Sequence, residues 1–182
     1  MIFAPLPLVG AFRIQLAKFE DDRGFFARSF CVKEFGKQGL HTHWEQMNIS
    51  FNERKGTLRG LHFQRPPAAE VKVVRCTRGA IWDAIVDLRA GSETYGRWYG
   101  MELDSENHTM LYVPEGFAHG FQTLQSKTEI QYFHSVAYSP EHEGGLNTND
   151  PDLKIDWPLP VSDISDRDRM LPFLKQLEPL SL

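Results

Sequence analysis

The sequence predicts an all-β domain, most simply a jelly roll, and three observations carry that expectation. Apolar and polar residues alternate with a period of two in many runs, the runs are short, and clusters of Gly, Pro, Asn and Ser separate them at fairly even spacing. In chain order, AFRIQLAKF (11–19) sets Phe12, Ile14 and Leu16 against Arg13, Gln15 and Ala17, the pattern of a half-buried strand. EDDRGFFARSF (20–30) then turns at Gly24 into a second, aromatic strand. VKEFGKQGL (32–40) has room for one or two helical turns. In HWEQMNISF (43–51), Met47, Ile49 and Phe51 share an apolar face, with Trp44, Gln46, Asn48 and Ser50 on the other. Asn52 to Gly56 reads as a turn before TLRGLHFQ (57–64). VKVVRC, AIWDAIVDL, RWYGMEL, TMLYVP, AHGFQTL and TEIQYFHSV supply further strands. Only the tail, RMLPFLKQL (169–177), suggests a helix, and it would need Pro172 in its first turn.

One domain spanning 1–182 is expected, because about 150 residues already suffice for a well-buried core. Lys and Arg number 20 against 24 Asp and Glu, a net charge of −4, which argues against a nucleic-acid backbone or an anionic membrane surface as partner. An anionic small ligand needs only a local cationic pocket and stays open. Cys31 and Cys76 lack redox or metal spacing and read as reduced residues. MIFAPLPLVG is short, lacks a basic start and holds two prolines, so neither a signal peptide nor a membrane span is expected. Cytoplasmic is the resulting expectation.

The chemistry concentrates in TLRGLHFQ and the strand after it, where Arg59, His62, Gln64 and Lys72 fall within fifteen residues. Strict alternation would put His62 and Gln64 on one face and Arg59 on the other. Arg59 and His62 therefore share a site only if the strand bends, and Gly60 is where a bulge is cheapest. Taken alone, His62 on an apolar strand is more often a hydrogen-bonded core histidine than a base. Lys72 shares parity with Val74 and Cys76; pointing inward it would need a charged partner, which implies a site, and pointing outward it is a solvated lysine. His119, in PEGFAHGFQ, belongs to core or pocket. Tyr132 shares a face with Ile130 and His134 and could offer its phenol to a cavity. Gln46, Asn48 and Ser50 suit a ligand or solvent, and Asp168 either orients a histidine or caps the last helix. His41, His43 and Glu45 could begin a metal site completed by His62 or His119, but they follow Gly39 ahead of the strand, where loop histidines are common.

DDRGFF (21–26), QMNISFN (46–52), TLRGLHFQ, VKVVRC, IWDAIVDLRAGSETYGRW (81–98), VPEGFAHGF (113–121), AYSPEHEGG (137–145), NDPDLKIDWP (149–158) and ISDRD (164–168) occur in this order across nearly the whole chain. Together they resemble the nucleotide-sugar 3,5-epimerases typified by dTDP-4-dehydrorhamnose 3,5-epimerase. The resemblance implies a cupin-type double-stranded β-helix and a reaction at C3 and/or C5 of a nucleoside-diphosphate 4-keto-6-deoxyhexose. It implies His62 as base with Asp168 as its partner, Lys72 beside the C4 oxygen, and Tyr132 as acid. His119 and Arg59 would line the pocket, and Arg23, Gln46, Asn48, Tyr138 and Glu143 fall where the family contacts the nucleotide or sugar. It further implies no organic cofactor, no metal and a homodimer.

Three positions depart from the family pattern. Arg28 stands where the thymidine enzymes' RGFFxE pattern carries its acidic residue, and a donor-only guanidinium would suit an acceptor-presenting base, so CDP or GDP is expected in place of dTDP if Arg28 meets the base, whereas dTDP stands if Arg28 points to solvent. Glu70 replaces a glutamine and Thr148 a tryptophan, both expected near the ligand. A single-centre epimerase, a metal-dependent cupin enzyme and a non-catalytic nucleotide-sugar binding protein are the competing readings.

Overall fold

The computed structural model describes residues 1–182. Thirteen strands form: β1 (Ile2–Pro5), β2 (Phe12–Gln15), β3 (Lys18–Asp21), β4 (Gly24–Ala27), β5 (Gln46–Asn52), β6 (Leu58–Gln64), β7 (Lys72–Arg78), β8 (Ala80–Asp87), β9 (Trp98–Asp104), β10 (Thr109–Val113), β11 (Phe117–Thr123), β12 (Thr128–His134) and β13 (Glu143–Gly145). The helices are α1 (Val32–Lys37) and α2 (Asp166–Arg169). A six-stranded sheet, ordered β1-β2-β10-β7-β12-β5, faces a five-stranded sheet, ordered β13-β6-β11-β8-β9, and β3 and β4 make a separate hairpin. Pairing within these sheets is antiparallel, as a jelly roll requires.

Between the sheets, Val74, Cys76, Ile81, Ile85, Leu111, Phe121 and Ile130 pack into a central core. Each sheet is also covered on its outer side. The chain after β13 lays Leu146, Leu153 and Ile155 over Leu61, Phe63 and Val86 of the five-stranded sheet. Phe35 of α1 and Leu40 close over Val73, Met110 and Phe133 of the six-stranded sheet and Val71 just before it. This double cover explains why AIWDAIVDL is apolar almost continuously and does not alternate.

The parity of AFRIQLAKF is as expected, with Ile14 and Leu16 buried and Arg13, Gln15 and Ala17 exposed, but the run breaks after Gln15 and resumes as β3. The tail is a correction. α2 ends at Arg169, and a separate 3-10 turn spans Leu174–Gln176, with Pro172 between the two and in neither. A proline disfavours helical backbone at the residue before it, so no continuous helix crosses Leu171–Pro172.

Candidate active site

At one end of the sandwich the core gives way to a cavity of about 290 Å³ lined by β5, β6, β7, β11 and β12. Gly60 makes this possible. β6 carries one extra residue against β11, since His62 pairs with His119 but Arg59 pairs with Phe121. The bulge reverses parity across Gly60–Leu61, and Arg59 and His62 both reach the cavity. Gly60 has φ +116°, and a Cβ there would lie 2.6 Å from Gly120 Cα and 2.8 Å from the His119 carbonyl. No other residue fits.

His62 Nε2 lies 2.7 Å from Asp168 Oδ1, and Asp168 Oδ2 accepts the Gly60 N–H at 3.2 Å. Asp168 is placed by its surroundings: Leu58 N–H donates to the Asp163 carbonyl at 2.8 Å, docking the segment on β6, and Ser165, not Asp168, caps α2. Asp168 therefore orients a histidine. Burial acts to raise its carboxyl, but the His62 hydrogen bond and charge outweigh that and hold it low. With Nε2 committed to the carboxylate, His62 is left with Nδ1 for a substrate.

Lys72 points inward and is 7% exposed. Its partner is Glu70, with Nζ 3.0 Å from Oε1, and the His62 carbonyl lies 3.4 Å away. Tyr132 Oη lies 3.1 Å from Ser50 Oγ, and burial raises the phenol, so it is protonated at neutral pH. The Tyr132 ring meets His119 edge-on at 6.2 Å between centroids. His119 Nε2 is held 2.9–3.0 Å from both oxygens of Asp83, whose carboxyl burial pushes up.

Of the expected site residues, His62, Lys72, Tyr132, Arg59, His119, Gln46, Asn48, Tyr138 and Glu143 line this cavity, and Asp168 supports it from behind His62. Tyr138 Oη donates to Glu143 at 2.8 Å, and Arg167 pairs with the same carboxylate at 2.6 Å. Arg23 and Arg28 are not brought here. Arg23 sits on the exposed turn between β3 and β4, paired with Asp21, and Arg28 pairs with Glu34 at 3.0 Å. The expectation of a CDP or GDP base rests on Arg28 and finds no support in this cavity. Of the other two departures, Glu70 lines the cavity, whereas Thr148 is buried outside it, its carbonyl accepting from Trp157 Nε1.

Asp83, buried behind His119, and His134, in the cavity wall, are the groups that sequence reasoning left without a role. Asp83 had a signal, a carboxylate inside the apolar run AIWDAIVDL; its partner could not be read locally. His43 and Glu45 pair at the surface and His41 packs on Trp44, so the HTHWE histidines lie apart from the cavity, and no group of three or more His, Cys, Asp or Glu has metal-holding geometry.

The chain is similar to known proteins over nearly its whole length. The sequence profile described as dTDP-4-dehydrorhamnose 3,5-epimerase matches residues 5–176. A dTDP-4-dehydrorhamnose 3,5-epimerase of Sinorhizobium fredii is 44% identical over 178 residues, covering 97% of this chain and 91% of the relative. The crystal structure of the enzyme of that name from Elizabethkingia anophelis superposes with a TM-score of 0.93 at 42% identity, covering 97% of each chain. The Legionella pneumophila dTDP-6-deoxy-D-glucose-3,5-epimerase, solved in complex with dTDP-4-keto-L-rhamnose, superposes with a TM-score of 0.91 at 34% identity, covering 97% of this chain and 94% of that one.

Proposed function

The chain belongs to the dTDP-4-dehydrorhamnose 3,5-epimerase family, and from that premise we propose which of its residues carry the reaction. It is an isomerase of cupin fold that inverts C3 and C5 of a dTDP-4-keto-6-deoxyhexose in deoxysugar biosynthesis. The C4 ketone acidifies the C–H bonds on both sides of it. His62 is the general base, removing the C3 or C5 proton while Asp168 holds the imidazole in one tautomer and orientation. The negative charge that develops on the C4 oxygen is stabilised by the Lys72 ammonium. Tyr132, kept protonated by burial, returns a proton from the opposite ring face, and the centre inverts. The observation that carries this assignment is that His62, Lys72 and Tyr132, a base, a cation and an acid, open on one cavity. The whole of 1–182 is proposed as one epimerase domain, a reading supported by the profile match over 5–176.

A homodimer is proposed on separate grounds. The apolar face of β5, an edge strand, carries Met47, Ile49 and Phe51 at 63%, 65% and 42% exposure, and the β3–β4 hairpin exposes Phe19 and Phe26. Apolar groups on a sheet edge and a projecting hairpin are the features a second copy would cover. Such an assembly is also the arrangement in which Arg23, remote from its own cavity, could reach a substrate. No helix is long and apolar enough to cross a membrane.

Deuterium uptake from D2O tests the reaction. With the 4-keto-6-deoxyhexoses of dTDP, CDP and GDP in parallel, label is expected at C3 and C5 of the dTDP sugar. His62→Ala should slow uptake by at least about 10²-fold. Label at one carbon only, or preference for CDP or GDP, would overturn the assignment.

A further inference from the structure

Glu70 and His134 line the cavity without a part in the chemistry above. We propose that they are positioning residues for Lys72: Glu70 bridges the ammonium to the imidazole and fixes the direction of the ammonium's one uncommitted N–H. The inference rests on the reading of Lys72 as the group that stabilises the enolate.

The bridge forms where two strand ends meet. The β7–β12 register sets His134 opposite Lys72, and Glu70 lies just before β7. Glu70 Oε1 lies 3.0 Å from Lys72 Nζ and Oε2 lies 2.7 Å from His134 Nδ1. All three side chains are at most 15% exposed. Burial alone would raise the Glu70 carboxyl, but the Lys72 charge and the His134 hydrogen bond outweigh it and hold it at about 2. It is an anion at working pH.

An ammonium has three N–H donors and no acceptor. Glu70 takes one, the His62 carbonyl accepts a second at 3.4 Å, and one is left for the C4 oxygen. A free lysine has a flexible four-carbon stem, and a donor that stabilises an oxyanion works only when aimed beforehand. A carboxylate beside Lys72 also offsets the positive charge the enolate needs. Glu70 therefore makes sense as an anchor and not as a source of charge, and the anchor is itself held by His134.

The test separates geometry from charge. Glu70→Ala is expected to lower kcat by about 10–100-fold with KM within about threefold, because the C4 oxygen is charged only in the transition state. Glu70→Asp keeps the charge but shortens the bridge, and should lose kcat like Ala. Glu70→Gln loses the charge but keeps an acceptor for Lys72, and should recover most of the loss. His134→Ala should lower kcat as well, and the double Ala variant should be no worse than Glu70→Ala, because the two act in one chain. Equal losses in Gln and Ala, full activity in Asp, an unaffected His134→Ala, additive losses in the double variant, or a change confined to KM would each overturn it. Melting curves identify any variant that fails to fold; Asp and Gln, the smallest changes, then decide. Wild-type protein that exchanges no C3 or C5 proton defeats the epimerase reading and this inference with it. Exchange that is lost in Lys72→Ala but kept in all Glu70 variants defeats this inference alone.

Discussion

Asp168 and Glu70 are the two carboxylates on which the cavity's histidine and lysine lean, and both are held below their ordinary ionisation range. A carboxyl depressed by folding adds stability at pH above its unfolded value and loses it as pH falls through the folded one. For Glu70 that window runs from about 4.5 down to about 2, and its contribution above the window is on the order of 3 kcal/mol at most. Asp168 acts in the same direction. These two groups should therefore make the melting temperature fall as pH drops below about 4.5, with a shallower acid limb in Glu70→Gln. Thermal melts across pH 3–7 check this, and an unchanged limb in the variant would remove Glu70 from the account. At this scale the residue types were legible: the histidine, lysine and tyrosine singled out as candidates all reach the cavity. Their partners were not legible from local pattern: the family resemblance alone joined Asp168 to His62, 106 residues away, and nothing joined Asp83 to His119, 36 residues away.

Gly60 in β6 shows how one position decides an element. Alternation places Arg59 and His62 on opposite faces; the extra residue at Gly60–Leu61 puts both in the cavity. Gly60→Ala must adopt φ +116° and drive a methyl into the backbone of Gly120, which cannot yield as a side-chain end would. The expected cost is about 2–4 kcal/mol, seen as a lower melting temperature, with a fall in kcat as His62 leaves its register with His119. A variant with wild-type stability and rate would mean that the bulge is not needed. The bulge was foreseeable because a glycine between two functional residues of opposite parity is a local signal. The broken tail was not foreseen, although Pro172 carried the physical warning.

For the whole molecule, the exposed apolar face of β5 and the β3–β4 hairpin lead to an assembly prediction. Light scattering after size exclusion should report a dimer, and Ile49→Lys together with Phe51→Glu should give monomers; a wild-type monomer would sink the idea. The dimer prediction turns on β5, which also shows where sequence runs out. Period two determined which residues share a face, because successive side chains of a strand leave it on opposite sides whatever surrounds it. Gln46, Asn48 and Ser50 were thus grouped correctly, as were Met47, Ile49 and Phe51. Periodicity could not say which face looks inward. Here the polar face lines the cavity, with Ile49 at its margin, and the apolar face is exposed, the reverse of a half-buried strand, because the cavity is polar and β5 is the edge of its sheet. The sequence by itself determined the β-rich fold and, within unbroken strands, which residues share a face, and it marked His62, Lys72 and Tyr132 as candidates. Only the tertiary structure decided that Asp83 meets His119, that Arg23 and Arg28 lie away from their own chain's cavity, and that Glu70 joins Lys72 to His134. Those outcomes depend on contacts between segments distant in the chain, which local patterning does not encode.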